Sequence, residues 1–256
     1  MQFIHCFQSE WLKKKGSLAS WLVAIGGFFT AVMIIAFRLI KPDGLKALVL
    51  QPNYWKTHWQ NSWESMAIML LPLGVILASS LITQLEFKNN TWKQAHTTPQ
   101  YFTTIFFAKL AVIMVMMLQF FILFNIGIYL SGIIPPLLLN GVEFPKGDIP
   151  FSFFLQQNAC YFLDCLPIIG LQYLISLLFK NFLVPVGAGL IFWIGSIAAL
   201  KWKFAYLVPY TYTSLYFLRT DGRLKITANF HAWAAGYFLL FILAGYILYA
   251  WKKEKG

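Results

Sequence analysis

Asp164 is the residue whose type and setting most clearly suggest chemistry. It stands in an otherwise apolar run, Phe153 to Phe179, which also carries Gln156, Gln157 and Asn158. A carboxylate in such a run is expensive to keep ionised and usually faces a bundle interior or water. Three uses are open to it: lining a substrate path, holding a proton, or pairing with a base. A purely structural carboxyl satisfied by the nearby amides is the fourth reading. Other reactive types do not assemble. His5, His58, His96 and His231 are scattered, with no H-E-x-x-H or similar ligand spacing, so no metal site is expected. Cys6, Cys160 and Cys165 match no zinc or redox motif and read as small, mostly buried thiols. There is no G-x-S-x-G elbow and no supported Ser/His/Asp set, so no catalytic residue is assigned. No G-x-x-x-x-G-K-[ST] stretch is present either, which leaves the chain without a phosphate-cradling loop.

The second informative stretch is Leu85-Glu86-Phe87-Lys88-Asn89-Asn90-Thr91-Trp92-Lys93-Gln94-Ala95-His96-Thr97-Thr98-Pro99. Thr91 followed by Gln94 is a capping box, so a short helix is expected to start at Trp92. Pro99 disfavours helix at the residue before it, which makes Thr98 an N-cap and Pro99 the first residue of a further helix. A bare connector needs only a few polar residues. This one carries Trp92, Lys93 and His96 on a capped helix, either as an interfacial anchor or as a docking surface for a cytosolic partner.

The elements that position these residues are hydrophobic spans. Of 256 residues, 59% are apolar and only 11% charged, whereas soluble domains carry about 25% charged residues. A bilayer can solvate that apolar surface. Six stretches approach the roughly 20 residues a membrane helix needs: residues 17–40, 65–85, 98–134, 153–179, 182–200 and 232–251. The expectation is a single domain over 1–256, an all-α membrane protein with six transmembrane helices. The first apolar run is too long for a cleavable signal and is expected to remain as a span. Residues 41–64, rich in Trp and Tyr, read as a loop for an interfacial aromatic belt. Residues Trp202 to Tyr216 read as either short re-entrant helices or an interfacial loop. Phe3, Ile4, Phe7 and Trp11 recur at near-helical spacing, which suggests an amphipathic helix before the first span, against the alternative of a disordered tail.

The net charge of +11 sits in short loops beside apolar runs, which favours lipid headgroups over nucleic acid as its partner. Six crossings put both termini on one side. With them lie Lys13, Lys14, Lys15, Lys88, Lys93, Lys109, Lys180, Lys252, Lys253 and Lys255. Opposite are Arg38, Lys41, Lys46, Lys56, Lys146, Lys201, Lys203, Arg219, Arg223 and Lys225. The sides tie, so only the tripled lysine before the first span points to cytosolic termini.

The run Glu86-x4-Thr91-Trp92-Lys93-Gln94, then Thr98-Pro99 and Lys109, resembles the ABC-2 type transporter permeases, most of all the branch related to bacitracin and lantibiotic self-protection exporters. Tyr206-Leu207-Val208-Pro209-Tyr210 is similar to the Pro-containing motif that family members carry after span five. The basic N-terminal segment resembles the family's connecting helix. The resemblance implies that the stretch between spans two and three is a cytosolic coupling helix seated on an ATPase subunit, through Glu86, Asn90, Thr91, Trp92, Lys93, Gln94 and His96. It implies no cofactor in this chain, with ATP and Mg on a separate partner. It also implies a second permease copy or paralogue, a bacterial cytoplasmic membrane location, and export of an amphipathic or lipid-like cargo such as a peptide antibiotic. Against it stands a stand-alone, ion-coupled secondary transporter or channel using Asp164. A membrane-embedded enzyme is disfavoured by the lack of clustered His, Asp or Glu.

Overall fold

The computed structural model describes residues 2–88, 101–225 and 228–254, and among these there are helices and connections but no strand. The helices are α1 (Gln2–Lys14), α2 (Leu18–Ile40), α3 (Asp43–Val49), α4 (Tyr54–Ser65), a π-helical turn (Met66–Leu70), α5 (Leu71–Lys88), α6 (Phe102–Leu138), α7 (Phe151–Leu178), α8 (Leu183–Ala199), a 3-10 turn (Ala205–Leu207), α9 (Tyr212–Thr220) and α10 (Phe230–Glu254). Among the described residues, five helical runs are long and apolar enough to cross a membrane: Leu18–Ile40, Tyr54–Leu85, Thr103–Leu138, Phe151–Leu178 and Phe230–Leu248. The fifth of the six expected spans is the apolar helix α8, which has 17 residues. At 1.5 Å per residue it is about 25 Å long, short of a hydrocarbon core of about 30 Å.

A membrane helix must divide its surface between protein and lipid, and α2 shows the division. Leu18, Trp21, Ile25, Phe29 and Val32 are exposed, while Ala19, Val23, Gly27 and Ala31 are buried. Both sets follow helical spacing, on opposite faces. The buried face lies against α6, and glycines set the distance. A Cβ on Gly27 would stand 2.8 Å from Leu123 Cβ, and one on Gly127 would stand 2.9 Å from Ala31 Cβ. Without those side chains the two backbones can approach closely.

The aromatic stretch 41–64 departs from the expected loop. It folds as α3 and α4, and α4 runs on through the π turn into α5. The reason lies in spacing: Trp55, Trp59 and Trp63 recur every four residues and, with Tyr54, line one buried face of α4. They are core, not an interfacial belt. Trp63 stacks on Tyr161 of α7 with ring centroids 3.7 Å apart.

Prolines inside the long helices release carbonyls, and other elements take them up. A proline lacks the N–H that the carbonyl four residues earlier would accept. Pro72 therefore frees Ile68 O, which accepts a 3.0 Å bond from Trp193 Nε1 of α8. In the π turn the bonds run five residues, as in Leu71 N to Met66 O. The next such bond would need the N–H of residue 72, so Ala67 O is free as well. Thr213 Oγ1 of α9 donates to it at 2.8 Å. Pro135 and Pro136 do the same in α6: Ser131 O accepts from Arg38 Nη1 at 2.9 Å and Gly132 O from Tyr54 Oη at 3.3 Å. In a lipid setting an unmet backbone carbonyl costs several kcal/mol, so these contacts fix which helices must be neighbours.

The stretch after α8 is partly helical. It forms the 3-10 turn and α9, and residues Tyr212 to Phe217 are all buried in the bundle. Tyr210 Oη reaches Gln172 Oε1 of α7 at 3.1 Å, and Gln172 Nε2 donates to Ser80 Oγ and to Pro185 O. One buried amide thus joins α5, α7, α8 and the chain leading into α9.

Candidate functional site

Asp164 lies midway along α7 and is fully buried. Its partner comes from the start of α10: His231 Nδ1 and Asp164 Oδ1 share a hydrogen bond of 2.7 Å. Oδ2 is buried with no hydrogen-bond partner among the described residues. Aromatic rings surround the pair. Tyr216 of α9 lies 5.2 Å from the His231 ring and 4.9 Å from Tyr161. The Arg219 guanidinium lies over Phe230, 4.9 Å from the ring centroid. Three elements, α7, α9 and α10, therefore meet at one buried carboxylate, which can hold a proton or face a cation.

The nearby amides do not serve Asp164. Asn158 exchanges two 3.0 Å hydrogen bonds with Asn125 of α6, a closed amide pair that also accepts from Trp59 Nε1 at 3.3 Å. Gln156 is exposed. Above that pair, α6 and α7 part to leave a lateral cleft of about 890 Å³, lined by Trp55, Ile122, Tyr129 and Leu155 among others. Its walls are almost wholly apolar, with the two asparagines as its main polar features. The volume lies in the range of roughly 300–1,000 Å³ typical of small-molecule sites.

A second polar node sits on α2, α4 and α6. Arg38 donates to Tyr54 Oη at 2.8 Å and to Ser131 O, and lies 2.9 Å from His58 Nδ1. A guanidinium only donates, so Nδ1 accepts and the His58 hydrogen is on Nε2. That nitrogen stands 3.1 Å from Ile128 O and 3.0 Å from Ser131 Oγ. His58 thus ties α4 to Arg38 and to α6 at Ile128 and Ser131, which makes it a structural histidine.

The other residues read from the sequence as functional are placed as follows. Glu86 is in the last turn of α5, and its side chain lies outside the described residues. Asn90, Thr91, Trp92, Lys93, Gln94 and His96 lie outside the described residues, as does the expected capped helix. Lys109 is buried in the first third of α6. The N-terminal segment is the helix α1, with Cys6, Glu10 and Lys14 on its buried face and Phe3, Ile4 and Leu12 exposed. Lys14 lies 3.8 Å over the Trp11 ring and donates to Gln119 Oε1 of α6 at 2.7 Å. Burial holds its ammonium below the usual lysine pKa.

This order of elements, with α1 leading into a membrane helix and a polar connection between the second and third long runs, agrees with a family-level match. A family model described as ABC-2 family transporter protein matches residues 6–196. The chain belongs to the ABC-2 transporter family. The match takes in α1 to α7 and most of α8. No curated protein and no solved structure matches the chain. As an ABC-2 protein it is a multi-pass membrane transport subunit, of a family that generally works with a cytosolic ATPase. The resemblance read from short motifs is upheld at this level. The match ends before α9 and α10, so the His231 and Tyr216 half of the buried cluster lies beyond it. Sequence reasoning singled out Asp164 but missed His231, which is 67 residues away. No local pattern links the two; the only available signal was a lone histidine at the start of an apolar run.

Proposed function

We infer that this chain is the membrane permease of an ATP-driven exporter whose ATPase is a separate polypeptide. The observation that carries the reading is the family match, which spans the connection between α5 and α6. In this reading the stretch around Thr91 to Thr97 serves as the coupling helix. Glu86, Asn90, Thr91, Trp92, Lys93, Gln94 and His96 take force from the ATPase, which holds the ATP and Mg. Two permeases, identical or paralogous, face each other across the transport path. The six apolar helices, α8 included, cross a bacterial cytoplasmic membrane with both termini in the cytosol, and α1 lies along the inner surface.

The cargo in this reading is amphipathic or lipid-like, as for the bacitracin and lantibiotic self-protection exporters. The apolar lateral cleft between α6 and α7 supports that choice, since an apolar molecule could reach it from the bilayer. The Asp164 oxygen without a partner favours a second reading, ion-coupled transport without an ATPase.

The test is co-purification with the cognate ABC ATPase, comparing the unaltered chain with Glu86→Ala and Trp92→Ala. Coupling predicts loss of the complex and of stimulated ATP hydrolysis at unchanged membrane insertion. Full assembly and full stimulation in both variants would contradict it. Transport by the permease alone, driven by an ion gradient, would establish the second reading.

A further inference from the structure

At the end of α8, the chain folds back around a small pocket of about 260 Å³. Three lysines, Lys201, Lys203 and Lys225, line it together with Leu200, Trp202 and Tyr206. All three lysines are exposed, and no acidic residue is among the lining residues described. Two acids of the same face, Glu64 and Asp221, are both paired with Arg223, the residue two before Lys225. The pocket is therefore a concentration of uncompensated positive charge. Lys203 is steadied over the Phe204 ring, 4.8 Å from its centroid.

We propose that this pocket binds the phosphate of a membrane phospholipid, with a preference for headgroups of net negative charge. Depth argues for a lipid over a free anion. The pocket begins where the apolar helix α8 ends, and exposed Trp202 and Trp233 flank it. Tryptophans in that position mark the level of the headgroups. Size agrees: a water molecule needs roughly 10–15 Å³ on the same measure, so the pocket has room for a hydrated phosphodiester. The charge distribution adds an independent argument, which rests on the six crossings proposed above. Basic residues are normally scarce in short loops on the side away from the cytosol, yet half of them lie there, three in this pocket. A bound anionic headgroup gives them a counter-charge. Diffuse anchoring would spread them along the rim instead of gathering them around a concavity.

The experiment is native mass spectrometry of the full chain released from mixed micelles of phosphatidylglycerol and phosphatidylcholine. The unaltered protein is expected to retain one phosphatidylglycerol in preference to phosphatidylcholine. The combined Lys201→Gln, Lys203→Gln, Lys225→Gln variant is expected to lose that retention by roughly tenfold or more, given a contribution of about fivefold per basic residue at an anionic surface. A control carrying Lys41→Gln, Lys46→Gln and Lys146→Gln is expected to keep it. Unchanged elution on size exclusion shows that the surface substitutions leave the fold intact. Equal retention in the two triple variants overturns the site. Displacement of the lipid by inorganic phosphate at matched concentration overturns its assignment to a lipid. Because the assay runs in detergent without an ATPase, failure of the permease reading would not affect its outcome.

Discussion

Replacing Thr213 by valine removes a single hydroxyl at nearly constant volume. In the structure that hydroxyl is the donor to Ala67 O, at 2.8 Å, and Thr213 and Ala67 are both fully buried. The carbonyl has no other obvious donor, because the residue five positions on is Pro72. A hydrogen bond between membrane helices contributes about 0.6 kcal/mol on average and up to about 1.7, while a buried carbonyl left without a donor costs about 1–3 kcal/mol. Thr213→Val is thus expected to destabilise the bundle by about 1–2 kcal/mol. The reasoning also makes a sharper prediction. Pro72→Ala restores one N–H that Ala67 O, five residues back, can accept while Ile68 O keeps its bond from Trp193 Nε1, so Thr213→Val should cost markedly less in the Pro72→Ala background. A double-mutant cycle, read by equilibrium denaturation in mixed micelles through the buried Trp63 and Trp59 fluorescence, measures that coupling. An interaction of about 1 kcal/mol is expected. If the threonine substitution costs the same in both backgrounds, within the roughly 0.3–0.5 kcal/mol by which independent sites add, the proline-released carbonyl does not explain the docking of α9.

His231→Ala strands the fully buried Asp164 and should destabilise the fold by about 3 kcal/mol, most of it recovered when Asp164→Asn is added, as measured by the same denaturation. Arg38→Met removes the donor to Ser131 O and is expected to cost roughly 2 kcal/mol, with a smaller effect in a Pro135→Ala background. Gly127→Leu forces a side chain where even a Cβ would stand 2.9 Å from Ala31 Cβ; a loss of about 1–3 kcal/mol and a lower thermal midpoint are expected.

Hydrophobic length alone made the long helices legible, because a run of twenty apolar residues has few other folds open to it. The spacing of Phe3, Ile4, Phe7 and Trp11 pointed to a helix before the first span, and α1 lies there. The same approach failed at 41–64, where composition was read without spacing: Trp55, Trp59 and Trp63 are one buried helical face. The prolines were visible as breaks, but the side chains that answer them were not. Trp193, Thr213 and Arg38 come from other elements, and only the packed bundle brings them to Ile68, Ala67 and Ser131. Asp164 stood out as a lone carboxylate in an apolar run, whereas its pairing with His231 depends on the parallel packing of α7 and α10. The capped stretch at Thr91 rests on local rules of helix capping and on the family resemblance.

The proposed coupling role requires that the stretch around Thr91 to Thr97 face the cytosol as a handle for an ATPase. Trp92→Cys, in a chain with Cys6, Cys160 and Cys165 replaced by alanine, tests this with a membrane-impermeant maleimide. The account predicts labelling in inside-out vesicles, none in right-side-out vesicles, and protection when the ATPase is bound. Labelling from the outer face, or labelling from the cytosolic face that a bound and active ATPase leaves unchanged, would contradict it.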